Sequence, residues 1–225
     1  MEDPLRSEKA LAAHSLKANS LMVEKYRSVL LFGQPGVGKG TQGKILGNIP
    51  GFFHLSVGDV FRSIDIGSDD GRLIYEYSSK GKLVPDELTV SIWQKALNAY
   101  VALSRYKPRE DLLVLDGIPR NVAQTKLVRD HLDIRMIVNL KGSDEEEMVH
   151  RMRRRAIREN RPDDANEEVV RHRFKVYREV SAPVLDCYPA EKVAEVNAIG
   201  SPAEVLQQIL NCLIPTQNEL FHTSE

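Results

Sequence analysis

The sequence predicts an α/β fold: a mostly parallel five-stranded sheet flanked by helices, with a glycine-rich loop after the first strand. Short apolar runs alternate with longer amphipathic stretches, the pattern of strand and helix in alternation. The apolar runs are nearly unbroken, as in strands covered on both faces. The first run, Val29-Leu30-Leu31-Phe32, leads directly into Gly33-Gln34-Pro35-Gly36-Val37-Gly38-Lys39-Gly40-Thr41-Gln42. Ligands of such folds gather at the carboxyl ends of the strands.

Residues 1–27 form an N-terminal extension, in which Leu11, Leu16, Leu21 and Val23 fit an irregular surface helix. Glu2, Asp3, Glu8 and Glu24, and the want of an apolar segment, argue against a secretory signal or a transit peptide. Strands are expected at Ser28–Phe32, Phe52–His54, Leu112–Leu115, Met136–Leu140 and Lys192–Val196. Val90, Trp93, Leu97 and Tyr100 keep helical spacing after Pro85, a natural helix opener, so Trp93 reads as core. Ser143-Asp144-Glu145-Glu146 reads as a capping box that starts a further helix. The main domain spans 28–214, and Pro215 to Glu225 reads as a polar tail.

At 225 residues the chain suits one sizeable domain with small insertions. Its net charge of −1 disfavours a general binder of nucleic acid or of membrane surfaces. No apolar stretch nears the roughly 20 residues of a membrane span. Cys187 and Cys212 have no metal-type spacing and read as small buried side chains in a reducing, cytoplasmic setting, with no zinc.

The loop from Gly33 to Gln42 carries the most specific chemistry. Backbone N–H groups of Gly36, Val37, Gly38, Gly40 and Thr41, at the positive end of the following helix, suit a phosphate chain, and Lys39 adds a mobile point charge. Gly40 stands where this loop usually has Ser or Thr, and Thr41 comes one residue later. Leu112–Leu115 runs into Asp116-Gly117-Ile118-Pro119-Arg120, an acid placed to orient water around Mg²⁺, then a turn, then an arginine able to grip a second phosphate. Gln124 shares a helix face with Arg120 and offers a donor and an acceptor to a base edge. Arg151 and Arg155, i,i+4 neighbours in the densest basic run, can cover one ligand.

These motifs resemble those of the nucleoside monophosphate kinases, adenylate kinase in particular. The resemblance runs in order from about Ser28 to Leu213: the loop just described; His54-Leu55-Ser56-Val57-Gly58-Asp59 with Arg62; Gly81-Lys82-Leu83-Val84-Pro85-Asp86-Glu87; Asp116 to Gln124; Arg161-Pro162-Asp163-Asp164 with Arg173; and Asn197-Ala198-Ile199-Gly200. It implies a P-loop NTPase-type fold with a small helical AMP-binding insertion (about 56–85) and a short lid (about 155–164) without zinc. It implies reversible phosphoryl transfer from Mg·ATP to AMP, giving two ADP, in a monomer. Catalysis would fall to Lys39, Arg120, Arg155, Arg161 and Arg173. Arg151 and Gly200 would meet the ATP base. Val57, Arg62, Lys82, Leu83, Val84, Gly117, Ile118, Pro119, Arg120, Gln124, Arg161 and Arg173 would hold AMP, and Asp59 would join Asp116 at the Mg²⁺ waters. Three departures stand out. Val57 replaces the usual threonine, which leaves a uridylate/cytidylate kinase as the alternative; Ile118 replaces an aromatic; and Ala165 is an extra residue that makes Arg171 the alternative to Arg173. A module that senses nucleotide without turnover is the rival from another class.

Overall fold

The computed structural model describes residues 25–142 and 144–222, with side chains up to Glu219. The helix suggested around Leu11 to Val23 lies outside the described residues. Five strands, β1 (Tyr26–Gly33), β2 (Phe52–Ser56), β3 (Leu112–Asp116), β4 (Leu132–Lys141) and β5 (Val193–Asn197), form one sheet of order β2-β3-β1-β4-β5. Every pairing is parallel, with Leu30 opposite both Leu115 and Ile137 at the centre. The strands fall where the apolar runs lie, with shifted ends. β4 begins four residues before Met136 because Leu132 and Ile134 alternate inward, and Lys192 closes a short 3-10 turn instead of opening β5.

Successive residues of β1 face opposite sides, which divides the core into two layers. Val29 and Leu31 pack with Leu46 of α1 (Lys39–Leu46), Met148 and Met152 of α6 (Glu145–Arg158) and Ile209 of α8 (Pro202–His222). Leu30 and Phe32 pack on the other side with Val90, Trp93 and Leu97 of α4 (Asp86–Ala102) and Val128 of α5 (Val122–Val128). Trp93 is fully buried, as its helical spacing requires. Between β2 and α4 lies an insertion of two short helices, α2 (Val57–Ser63) and α3 (Asp69–Ser78), whose Ile74 forms a small cluster with Val84 and with Ile92 of α4. α7 (Glu167–Val176) follows α6 across a turn at Pro162–Asp164.

Three expectations need correction. The N-cap of α6 is Asp144, whose carboxylate accepts from the Glu147 N–H at 2.8 Å, one residue beyond the anticipated Ser143, which is not among the described residues. Cys187 is exposed, while Cys212 is partly buried against the core. The polar residues from Pro215 onward do not leave the fold: α8 continues through Pro215 to His222. Gln217 Nε2 donates to the Pro50 carbonyl at 2.9 Å, and Glu219 pairs with Arg135 at 2.8 Å, so tertiary contacts hold these turns despite the proline. No helix among the described residues is long and apolar enough to cross a membrane.

Candidate active site

β1 and β3 end side by side, and each delivers one half of the site. After β1 the chain turns through Gly38, in the left-handed region (φ 107°), which is the N-cap of α1 and offers the helix no side-chain cap. The first N–H groups of α1 therefore have no partner within the helix. A Cβ at Gly38 would project into open space, whereas one at Gly36 would come within 3.0 Å of the Met148 carbonyl. Gly38 thus keeps the cradle clear, and Gly36 lets the loop pack on α6. Val37 is also a core residue, 3% exposed, so only its backbone is left for a ligand. Lys39 Nζ donates to the carbonyls of Gly33 (2.7 Å) and Gln34 (3.0 Å), folding back across its own loop. Its pKa is lowered to about 8, chiefly by burial, with the charge of Asp116 opposing and those of Arg120, Arg155 and Arg173 adding to the fall.

At the end of β3, Asp116 is buried, and its Oδ2 lies 3.7 Å from where a Gly40 Cβ would be. The missing side chain at Gly40 keeps the space in front of this carboxylate small but unfilled. The turn at Gly117, with a cis Ile118–Pro119 bond, carries Arg120, whose Nε donates to the Gly117 carbonyl at 3.1 Å. Burial, then the charge of Arg173, lowers the Arg120 pKa. Arg161 is lowered by burial and then by Arg155 and Arg62. Guanidinium groups crowd one another here among paired acids, an arrangement suited to holding an anion.

On the lid side one buried acid joins two arginines, and Asp163 adds a second bond to Arg173 at 3.2 Å. Asp164 is fully buried and receives Arg155 Nε at 2.8 Å on Oδ2 and Arg173 Nη1 at 2.5 Å on Oδ1. Arg161 reaches Glu159 at 2.9 Å and Asp59 at 3.6 Å. Asp59 also meets Arg62 and Lys44. Burial pushes its pKa up, but the Arg62 hydrogen bond and the charges of Arg62, Lys44 and Arg161 outweigh this and hold it below the ordinary value.

A cavity of about 690 Å³ opens between these elements. From the β1 loop it is lined by Lys39, and from the helical insertion by Val57 and Arg62. Lys82, Leu83 and Val84 close one side, and Gly117 to Arg120 with Gln124 form the floor. Arg173 enters from α7, whereas Arg171 lies outside, paired with Glu146 (2.7 Å) and Glu167 (2.8 Å). Gly36, Val37, Gly38, Gly40, Thr41 and Asp116 do not line this cavity, nor do Asp59, Arg155 and Arg161. Arg151 is tied to Glu147 at 2.6 Å. Gly200 (φ 128°) also lies off the cavity, beside the reciprocal Ser201–Glu204 cap of α8.

Asp164 and Asp86 fall within the motifs quoted above but carry no role there. Asp164 sits nine residues from each of its arginines, a spacing that has meaning only once α6 and α7 fold against each other. Tyr177 and Val176 line the cavity where α7 gives way to a π-helical turn, and no local motif marks them.

A glycine loop at a helix start, facing an acid at a strand end and ringed by arginines, defines a P-loop phosphotransferase with room for a second anionic substrate. The family model for adenylate kinase matches residues 31–193. An adenylate kinase of Thermobifida fusca is 37% identical over 191 residues, covering 82% of this chain and 97% of its own. Those of Corynebacterium urealyticum (35%, covering 82% and 98%) and Thermus thermophilus (36%, covering 81% and 95%) are similar. The chain belongs to the adenylate kinase family and is a nucleoside monophosphate kinase.

Proposed function

We propose that this enzyme transfers the γ-phosphoryl group of ATP to AMP, reversibly, giving two ADP, and that a single chain supplies both halves of the site. The observation that carries this reading is the meeting of two anion-binding elements, the Lys39 loop and the Arg120 turn, on adjacent parallel strands. The ATP phosphates would lie along the N–H groups of Gly38, Gly40 and Thr41, with Lys39 released from its carbonyls to reach the outer phosphates. The AMP phosphate would sit between Arg62, Arg120 and Arg173, and its base would reach Gln124 past the wall of Val57 and the Lys82–Val84 segment.

The phosphate of AMP is already an ionised nucleophile, so no side chain is needed as a base. The residues align the two phosphates and stabilise the charge that spreads over the transferring group. Arg155 and Arg161 serve this from the lid and Arg173 from α7, each already paired with an acid that fixes its fork. Asp116 presents a hard oxygen beside the unfilled space at Gly40, which fits Mg²⁺ that keeps its water shell; Asp59, held by arginines, is the more distant candidate. Mg²⁺, bound with ATP, would supply neutralisation of phosphate charge. Gly200 and Arg151 would meet the ATP base at the outer edge.

Initial rates with AMP, CMP, UMP and GMP at fixed ATP test the proposal. AMP should be the best acceptor, and Gln124→Ala should lose more with AMP than with CMP. A native preference for CMP or UMP would overturn it.

A further inference from the structure

Gln124 is nearly inaccessible yet faces the cavity, and both ends of its amide are engaged. Its Oε1 accepts from the Arg120 backbone N–H at 2.7 Å, and its Nε2 donates to Asp86 Oδ1 at 2.8 Å. A backbone N–H can only donate, and an ionised carboxylate can only accept. Turning the amide over would set oxygen against carboxylate and NH₂ against N–H. The same Asp86 oxygen accepts from Asn121 Nδ2 at 2.8 Å, and Asn121 Oδ1 in turn accepts from the Gln124 N–H at 2.7 Å, which caps α5. Asp86, the first residue of α4, is therefore fixed from two sides while lying outside the cavity lining itself.

From this geometry we infer that Asp86 is a positioning residue that locks the Gln124 amide in one orientation, so that the site accepts a 6-amino purine and rejects a 6-oxo purine. The inference rests on the AMP reading above. Each end of the amide keeps one bonding site free, an N–H and a lone pair, in a fixed order. Adenine offers N1 as acceptor beside an N6 donor. Hypoxanthine offers the reverse, an N1 donor beside an O6 acceptor. Pairing it requires the overturned amide, which the Arg120 N–H and Asp86 both oppose, and a mispaired polar edge in a closed site is heavily disfavoured.

The test is kcat/KM with AMP and with inosine 5′-monophosphate at saturating ATP. The native enzyme should favour AMP by at least about 100-fold. Asp86→Ala should cut that ratio by about 10-fold or more, chiefly through KM for AMP, with KM for ATP held within about twofold. Asp86→Asn keeps an oxygen able to accept both amide bonds and should restore most of the ratio. Where Asp86→Ala does not fold, Asp86→Ser, too short to reach Nε2 yet suited to a helix start, takes its place. A folded Ala or Ser variant with the native ratio, an Asn variant no better than Ala, or a native ratio below about threefold would each overturn the lock. A native enzyme that prefers CMP or UMP to AMP overturns the base reading together with the lock; an AMP-specific enzyme whose ratio ignores Asp86 overturns the lock alone.

Discussion

Asp164→Asn probes the lid most sharply, because one buried carboxylate holds two of the proposed catalytic arginines. Its Oδ2 receives Nε of Arg155 at 2.8 Å and Nη2 at 2.6 Å, and its Oδ1 receives Arg173 Nη1 at 2.5 Å. The amide keeps the shape and one acceptor, but its NH₂ would face either the Arg155 fork or Arg173, donor against donor. Bonds to charged groups contribute about 1.5–3 kcal/mol each, and breaking a buried pair costs about 3–5 kcal/mol. Both arginine side chains are about a quarter exposed (25% and 21%) and recover some hydration. The expected loss is therefore about 2–4 kcal/mol, read from urea unfolding as a lower midpoint at constant m. Arg155 also loses its alignment, and Arg173 is left with its 3.2 Å bond to Asp163, so kcat should fall by about 100-fold. A loss below about 0.5 kcal/mol with kcat unchanged would refute the assignment of Asp164 as the clamp.

Three further outcomes follow from the same geometry. Lys39, held at about 8 by burial and neighbouring cations, loses its charge as pH rises through that value, so kcat/KM for ATP should fall above pH 8; Lys39→Met should be lower by roughly 100-fold or more at pH 7 and lack that limb. Arg173→Ala should lower kcat by about 10³-fold or more, whereas Arg171→Ala, which removes only exposed pairs with Glu146 and Glu167, should stay within about twofold in rate and 1 kcal/mol in stability; equal losses would reverse the register. Gly43→Ala would drive a Cβ into the His54 ring and should destabilise by about 1–3 kcal/mol in thermal or urea unfolding.

The fold was legible where burial and sequence pattern coincide. β3 is buried at every residue, and the unbroken Leu112–Leu115 run says so directly. The phosphate loop and the Asp116–Arg120 turn are local motifs, and each lands at the strand end expected of it. Contacts that join distant segments were not legible. Asp164 reads as one acid of a polar turn until α6 and α7 bring Arg155 and Arg173 to it. Asp86 reads as a good residue for a helix start, and its hold on Gln124 spans 38 positions of sequence. The last turns of α8 read as a tail because a proline and polar residues weaken helix locally, and the anchors at Pro50 and Arg135 lie elsewhere in the chain.

Whether one site holds two nucleotides phosphate to phosphate is tested most directly by a bisubstrate mimic, two adenosines joined through a polyphosphate chain. One mimic should bind per chain and inhibit competitively against both ATP and AMP. Inhibition competitive with one nucleotide and indifferent to the other would contradict it.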